Sequence, residues 1–294
     1  MKRVAVIFIV VLVFLVVMGR ESSSLTFEFN KEKPGMQTFV LKYLHFTAGK
    51  ENITPVLPTT FYLIYYSTED IPVLAAKVGK IEKTSAISPY LEKISGGGNA
   101  KSITGPHGEK VIYNPNNPPD KKVLSSYALW DGWVFIGNKK ETMIELLKSY
   151  KTTSDVVKVE KSTPSMIKEW KDAGIRLWGD NLNDHLSNLL AAQRKRILVP
   201  LIRDPKKIKY IAGAFTLTEA KEMSGTLVIM PAGPQAGKDI ESDLKFTGET
   251  IRRRLVAVKT QYKGKMHSTD NGVIYETYIG NYIAAEGRIV QEER

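Results

Sequence analysis

The sequence predicts an α+β protein: antiparallel sheets with packed amphipathic helices, behind an apolar N-terminal helix and with signs of a divergent duplication. Three observations lead there. Short β-branched and aromatic runs such as Phe61–Tyr66 recur along the chain, bounded by Gly, Pro and Asn. Between them lie stretches with apolar residues at helical spacing, such as Lys139–Tyr150. Asp131-Gly132 stands between two apolar runs, the signal of a two-residue hairpin. Hydrophobic residues make up 43% and charged residues 25% of the chain, which excludes a disordered or fibrous protein and a polytopic membrane protein.

The first element is apolar. Lys2 and Arg3 precede Val4–Met18, fifteen apolar residues in succession, and Gly19-Arg20 follow. A positive start and an apolar stretch are the grammar of an export signal. Fifteen helical residues rise about 22 Å against a hydrocarbon core of about 30 Å. Two outcomes stay open: retention as an anchor in the inner membrane, or cleavage after Gly19. Either way the positive-inside rule keeps Lys2 and Arg3 in the cytoplasm and sends the remainder across, into the periplasm. Residues 1–19 are therefore read as a signal-anchor or signal peptide. Residues 20–54 read as a linker and domain edge, because 20–36 is polar and carries Pro34-Gly35.

A first α+β half spans 55–158. Phe61–Tyr66 reads as a buried strand. Pro72–Ile81 reads as a helix, with Asp70 near its N-cap and Pro72 in its first turn. Gly96–Gly98 and Asn114–Asp120 read as loops. Tyr127–Trp130 and Trp133–Ile136 form the hairpin, placing Trp130 opposite Trp133, and Lys139–Tyr150 is a helix with Met143, Leu146 and Leu147 on one side.

A second half spans 159–294. Ser162 or Thr163 caps a helix that has Pro164 at its first position and ends at Ala173-Gly174. Ile175–Trp178 is a strand and Asp184–Arg196 a helix. Ile208–Thr218 and Ser224–Met230 pair across a turn at Glu219–Glu222. Asp239–Val256 is a helix with Gly248 as its weak point, and Gly272–Ile279 and Tyr282–Ile289 are β-type. The order strand, acidic turn, helix, strands appears at Phe61–Ile81 and again at Ile175–Ala192, which is the sign of duplication.

Candidate chemistry is sparse. The chain has no cysteine, so disulfides, thiolate metal sites and cysteine nucleophiles are excluded. His45, His107, His185 and His267 lack zinc-binding spacing. Asp180, Asp184 and His185 cluster in sequence, and helix capping by Asp184 accounts for them. Ser165/Lys168 and Ser242/Lys245 match Ser-x-x-Lys, but the companion motifs of acyl-serine enzymes are missing. Gly233–Lys238 lacks the spacing and the hydroxyl of a phosphate loop. The expectation is a protein that is not an enzyme and holds no cofactor.

Charge is the remaining signal, at a formal +11. Arg194, Lys195, Arg196, Lys206 and Lys207 form one basic run, together with Arg203 and Lys209. Arg252, Arg253 and Arg254 form the other, with Lys259, Lys263 and Lys265. Beyond a membrane such runs suit anionic lipid headgroups or a cell-wall polymer rather than nucleic acid.

Leu57–Leu63 (LPTTFYL), the hairpin 127–138 running into a helix, Thr163-Pro164 through Ile175–Asp180 (IRLWGD), and Gly225–Val228 (GTLV) occur in that order. Over about residues 55–230 this resembles a family of bacterial exported proteins known only as a domain of unknown function. The resemblance implies an envelope location and assigns no chemistry. Three functions follow as expectations: a non-catalytic, membrane-tethered envelope protein that binds a partner or scaffolds a complex; a periplasmic carrier or chaperone whose aromatic strands 61–66 and 127–136 line an apolar cavity; and a hydrolase whose site is dispersed in sequence.

Overall fold

The computed structural model describes residues 25–44, 46–48, 51–66, 72–79, 86–117, 123–181, 202–219, 222–257, 260–269 and 272–280. In chain order these form β1 (Leu25–Asn30), α1 (Met36–Tyr43), β2 (Thr47–Ala48), β3 (Glu51–Asn52), β4 (Thr60–Tyr65), β5 (Val73–Lys77), α2 (Ser88–Ser95), β6 (Lys101–Thr104), β7 (Lys110–Tyr113), β8 (Ser126–Trp130) and β9 (Trp133–Gly137). Then come α3 (Lys140–Ser149), α4 (Thr163–Met166), β10 (Ile175–Asp180), β11 (Ile208–Leu217), β12 (Met223–Pro231), α5 (Pro234–Ala257), β13 (Tyr262–Thr269) and β14 (Gly272–Ile279). The apolar run 4–18, the helix expected at Asp184–Arg196 and the strand expected at Tyr282–Ile289 lie outside the described residues.

Twelve of the strands join in one antiparallel sheet, in the order β13-β14-β12-β11-β10-β1-β4-β5-β9-β8-β7-β6. The protein is α+β. β1 sits in the interior of the sheet, with strands from 55–158 on one flank and strands from 159–294 on the other.

Successive residues of a strand point to opposite faces, and both faces of this sheet are covered over much of their area. On one face Phe27, Phe29, Phe61, Leu177, Phe215 and Leu227 pack with Phe39 of α1, Ile94 of α2, and Ile240 and Leu244 of α5. On the other, Ile64, Trp133, Phe135 and Trp178 pack with Met143, Leu146 and Leu147 of α3 and with Ile167 and Trp170. The aromatic strands expected to line a ligand cavity are thus filled core.

Four expectations are corrected. The linker assigned to 20–36 contains β1, whose Leu25, Phe27 and Phe29 enter the first layer while Thr26 and Glu28 face the second. Each fully buried phenylalanine is worth about 1.5–3 kcal/mol over exposure, so the segment is held by packing that its polar residues conceal. The helix expected at Pro72–Ile81 is β5, paired with β4 and β9; its Val-Leu-Ala-Ala run is buried on both faces, a pattern that suits an interior strand. The matched order of elements in the two halves therefore fails in the first of them. The helix expected from Pro164 to Ala173 breaks after one turn, because Ile167 turns into the core, and resumes as a 3-10 turn at Lys168–Lys171. Gly248 is not a weak point of α5: a Cβ there would lie 2.6 Å from the Tyr275 hydroxyl oxygen, so the glycine lets sheet and helix meet.

The hairpin, the helix at Lys140–Ser149 and the β11–β12 pair form as expected, with Trp130 opposite Trp133 and left-handed backbone at Asp131 (φ 45°) and Gly132 (φ 76°).

Candidate functional site

Antiparallel register lines side chains up in rows across the sheet. One row starts with Val111, Ala128, Phe135 and Ala75, beneath α3, and reaches Tyr62. It then continues through Glu28, Arg176, Ala214, Thr226, Glu276 and Lys265 on β13. The row passes from apolar to charged at the central strand.

At that change Glu28 and Arg176 form a half-buried ion pair, 3.0 Å apart, and Tyr62 hydrogen-bonds Glu28 from the other side. Arg176 also donates to the carbonyls of Trp170 (2.6 Å) and Lys171 (3.2 Å), which pins the 3-10 turn to the sheet. Burial pushes the Glu28 carboxyl above its ordinary value, against the pull of Arg176 and the Tyr62 hydrogen bond.

Beyond the 3-10 turn a groove of about 300 Å³ crosses β12, β14 and β13. Glu169, Ser224, Thr226, Glu276, Tyr278, Lys263 and Lys265 are among its lining residues. Thr226 donates to Glu169 at 3.0 Å, and the Ser224 and Thr216 hydroxyls share a hydrogen bond of 2.8 Å. The Tyr278 hydroxyl donates to Glu222 at 2.8 Å, which raises its pKa, and the Lys263 ammonium lies 5.6 Å from the Tyr278 ring centre. This arrangement presents cations along the sheet edge and carboxylates and hydroxyls further in. It suits recognition by charge and hydrogen bonding. Lys263 and Lys265 are visible in sequence as charge alone; their neighbours come from β12, close to 40 residues earlier, from the 3-10 turn, or from across the hairpin, where no local pattern announces them.

The residues singled out for anionic contact fall in several places. Arg194, Lys195 and Arg196 lie outside the described residues. Lys206 is exposed. Lys207 binds Asp239 at 2.7 Å and stands 3.9 Å from Asp204, and Arg203 binds Asp243 at 3.0 Å, so this run docks on the first turns of α5. Arg252 and Arg253, near the other end of α5, both donate to Glu249. Those two guanidinium groups hold the Glu249 carboxyl down to about 2. No acid follows them for many residues, but one precedes them by a helical turn. Arg254 has a helical backbone in α5.

The Ser-x-x-Lys pairs are not assembled. Ser165 donates to the Ser162 carbonyl, and Lys245 binds Glu241 at 2.7 Å. His185 and Asp184 lie outside the described residues. Among the described residues no group of three or more His, Asp or Glu side chains is placed to hold a metal ion, and no helix is long and apolar enough to cross a membrane.

No protein-family model matches the chain, and no curated protein matches it. Among solved structures, one described as "Structure of crystal form III of TP0453" superposes with a TM-score of 0.46 at 11% identity, over 92% of this chain and 95% of that one.

Proposed function

We propose that the protein is a non-catalytic envelope protein, tethered to the inner membrane through residues 4–18, whose periplasmic part binds a partner protein. The observation that carries this reading is the Lys2-Arg3 pair ahead of fifteen apolar residues. Partner binding is favoured over carriage of an apolar ligand because Phe61, Phe135 and Trp133 are packed beneath helices, whereas the open groove is lined by charged and hydroxyl groups. The basic residues of α5 and of the segment before β11 supply a weaker contact with anionic lipid or a cell-wall polymer.

A reporter that works only outside the cytoplasm, fused after Arg294, tests the topology. Activity is the expected result; a fluorescent cytoplasm-only reporter that lights up there would overturn it. The mass of the mature chain separates tether from signal, since a chain starting at Arg20 would be a periplasmic protein without its anchor.

A further inference from the structure

We propose that β13 is a docking edge for an acidic, extended segment of a partner protein, which adds to the sheet as a strand beside Tyr262–Thr269. The proposal deepens the partner-binding reading above by naming the class of partner and the place where it sits.

The backbone provides the template. Among the described residues β13 ends the twelve-stranded sheet and pairs with β14 alone, through all eight of its residues and with no register shift. An edge strand directs half of its N–H and C=O groups away from its neighbour, ready for a further strand. Proteins blunt such edges with proline, a bulge or short length. β13 has none of these three and carries another such device instead, charged side chains: six of its eight residues, including Lys263, Lys265 and His267, are exposed.

The side chains provide the filter. Lys263, Lys265 and His267 alternate and so share the face that carries the groove. Neither lysine forms an ion pair with a carboxylate among the described residues, although Glu276 stands directly across from Lys265. A strand arriving at this edge sets its own alternate side chains beside these cations, at about 5 Å across the pair. Carboxylates at alternate positions complement them. A second copy of β13 would bring the same cations against themselves, so the lysines that discourage self-association also select an acidic strand. The groove behind them, with Ser224, Thr226 and Tyr278, accepts a side chain or terminus that reaches inward.

The test uses the full-length chain in detergent micelles and a fluorescent eight-residue peptide of alternating Glu and Val, with a Lys-for-Glu counterpart. The acidic peptide is expected to bind with Kd below about 1 mM at low salt, and the basic one is not. Lys263→Gln with Lys265→Gln should weaken binding about tenfold, with an unchanged melting temperature because both side chains are exposed. Two further acidic peptides, N-methylated on alternate residues in opposite phase, read the backbone: one should lose binding and the other keep it. Absence of binding, indifference to the lysine pair, equal behaviour of the two methylated peptides, or dimerisation of the unliganded chain through β13 would each overturn the proposal. The peptide titration reads the edge and the C-terminal reporter reads the location, so the two proposals fail separately.

Discussion

Gly132, in the β8–β9 turn, and Gly248, inside α5, are each required for a different reason. Gly132 and Asp131 occupy a turn with positive φ, and the Gly132 carbonyl accepts hydrogen bonds from the amides of Val78 and Gly79. Gly132→Val should cost about 1–3 kcal/mol through backbone strain, read as a lower urea midpoint. Gly248 is helical, where alanine would ordinarily gain about 1 kcal/mol. Here a Cβ would meet the Tyr275 hydroxyl, itself hydrogen-bonded to Tyr262. Gly248→Ala should therefore destabilise the protein, and less so beside Tyr275→Phe, with a coupling of about 1 kcal/mol in a double-mutant cycle. Equal effects in both backgrounds would mean that the contact is absent. Glu28 gives a pH dependence. Its folded pKa lies above the unfolded value of 4.5, so the native state binds the extra proton between the two. Its contribution is then fully present below the unfolded pKa and lost as pH rises through the folded one. Stability relative to Glu28→Gln should fall from about pH 4.5 upward; a flat difference would contradict the burial argument.

At the scale of elements, one docking contact and one ion-pair cluster within α5 can be broken separately. His107, in the loop between β6 and β7, hydrogen-bonds the Leu147 carbonyl at 2.9 Å and stacks on Trp130 at 4.2 Å. His107→Ala should leave β10–β14 unaffected and raise amide exchange across Lys101–Tyr113 several-fold. Glu249 takes up both Arg252 and Arg253, so Glu249→Gln should strengthen binding to acidic vesicles about fivefold, the worth of one charge near such a surface. No change would remove α5 from membrane contact. The elements that sequence revealed are those whose signal is local. Asp131-Gly132 dictates its own turn, and Met143, Leu146 and Leu147 share one side of α3 whatever lies beneath. β1 and β5 differ from the sequence expectation because their evidence is tertiary. Glu28 looks solvated until Arg176 and Tyr62 are placed beside it, and Val73–Ala76 carries no period because both of its faces are buried. The groove was illegible for the same reason, since Thr226, Glu276 and Lys265 become neighbours only through strand register.

For the whole molecule, β1 decides whether there is one sheet or two fragments. It pairs with β4 on one side and β10 on the other, and Phe27 and Phe29 are fully buried between them. A chain beginning at Arg20 should melt cooperatively. One beginning at Lys31 should not, because β4 and β10 each lose their neighbour and the shared core loses two phenylalanines. Cooperative melting of the shorter chain would show that the two flanks are independent. The position of β1 also has a consequence in time. A chain made from its N-terminus completes β1 early, and β4 follows within about thirty residues, so that pair can close almost at once. The other side of β1 must wait for Ile175–Asp180, some 145 residues later. Throughout that interval the middle of the future sheet is a bare edge bearing Leu25, Phe27 and Phe29, open to any other strand nearby. The exposure of β1 is thus set by the late arrival of the second half, and a holding chaperone that shields β1 until β10 arrives is the kind of help this architecture calls for.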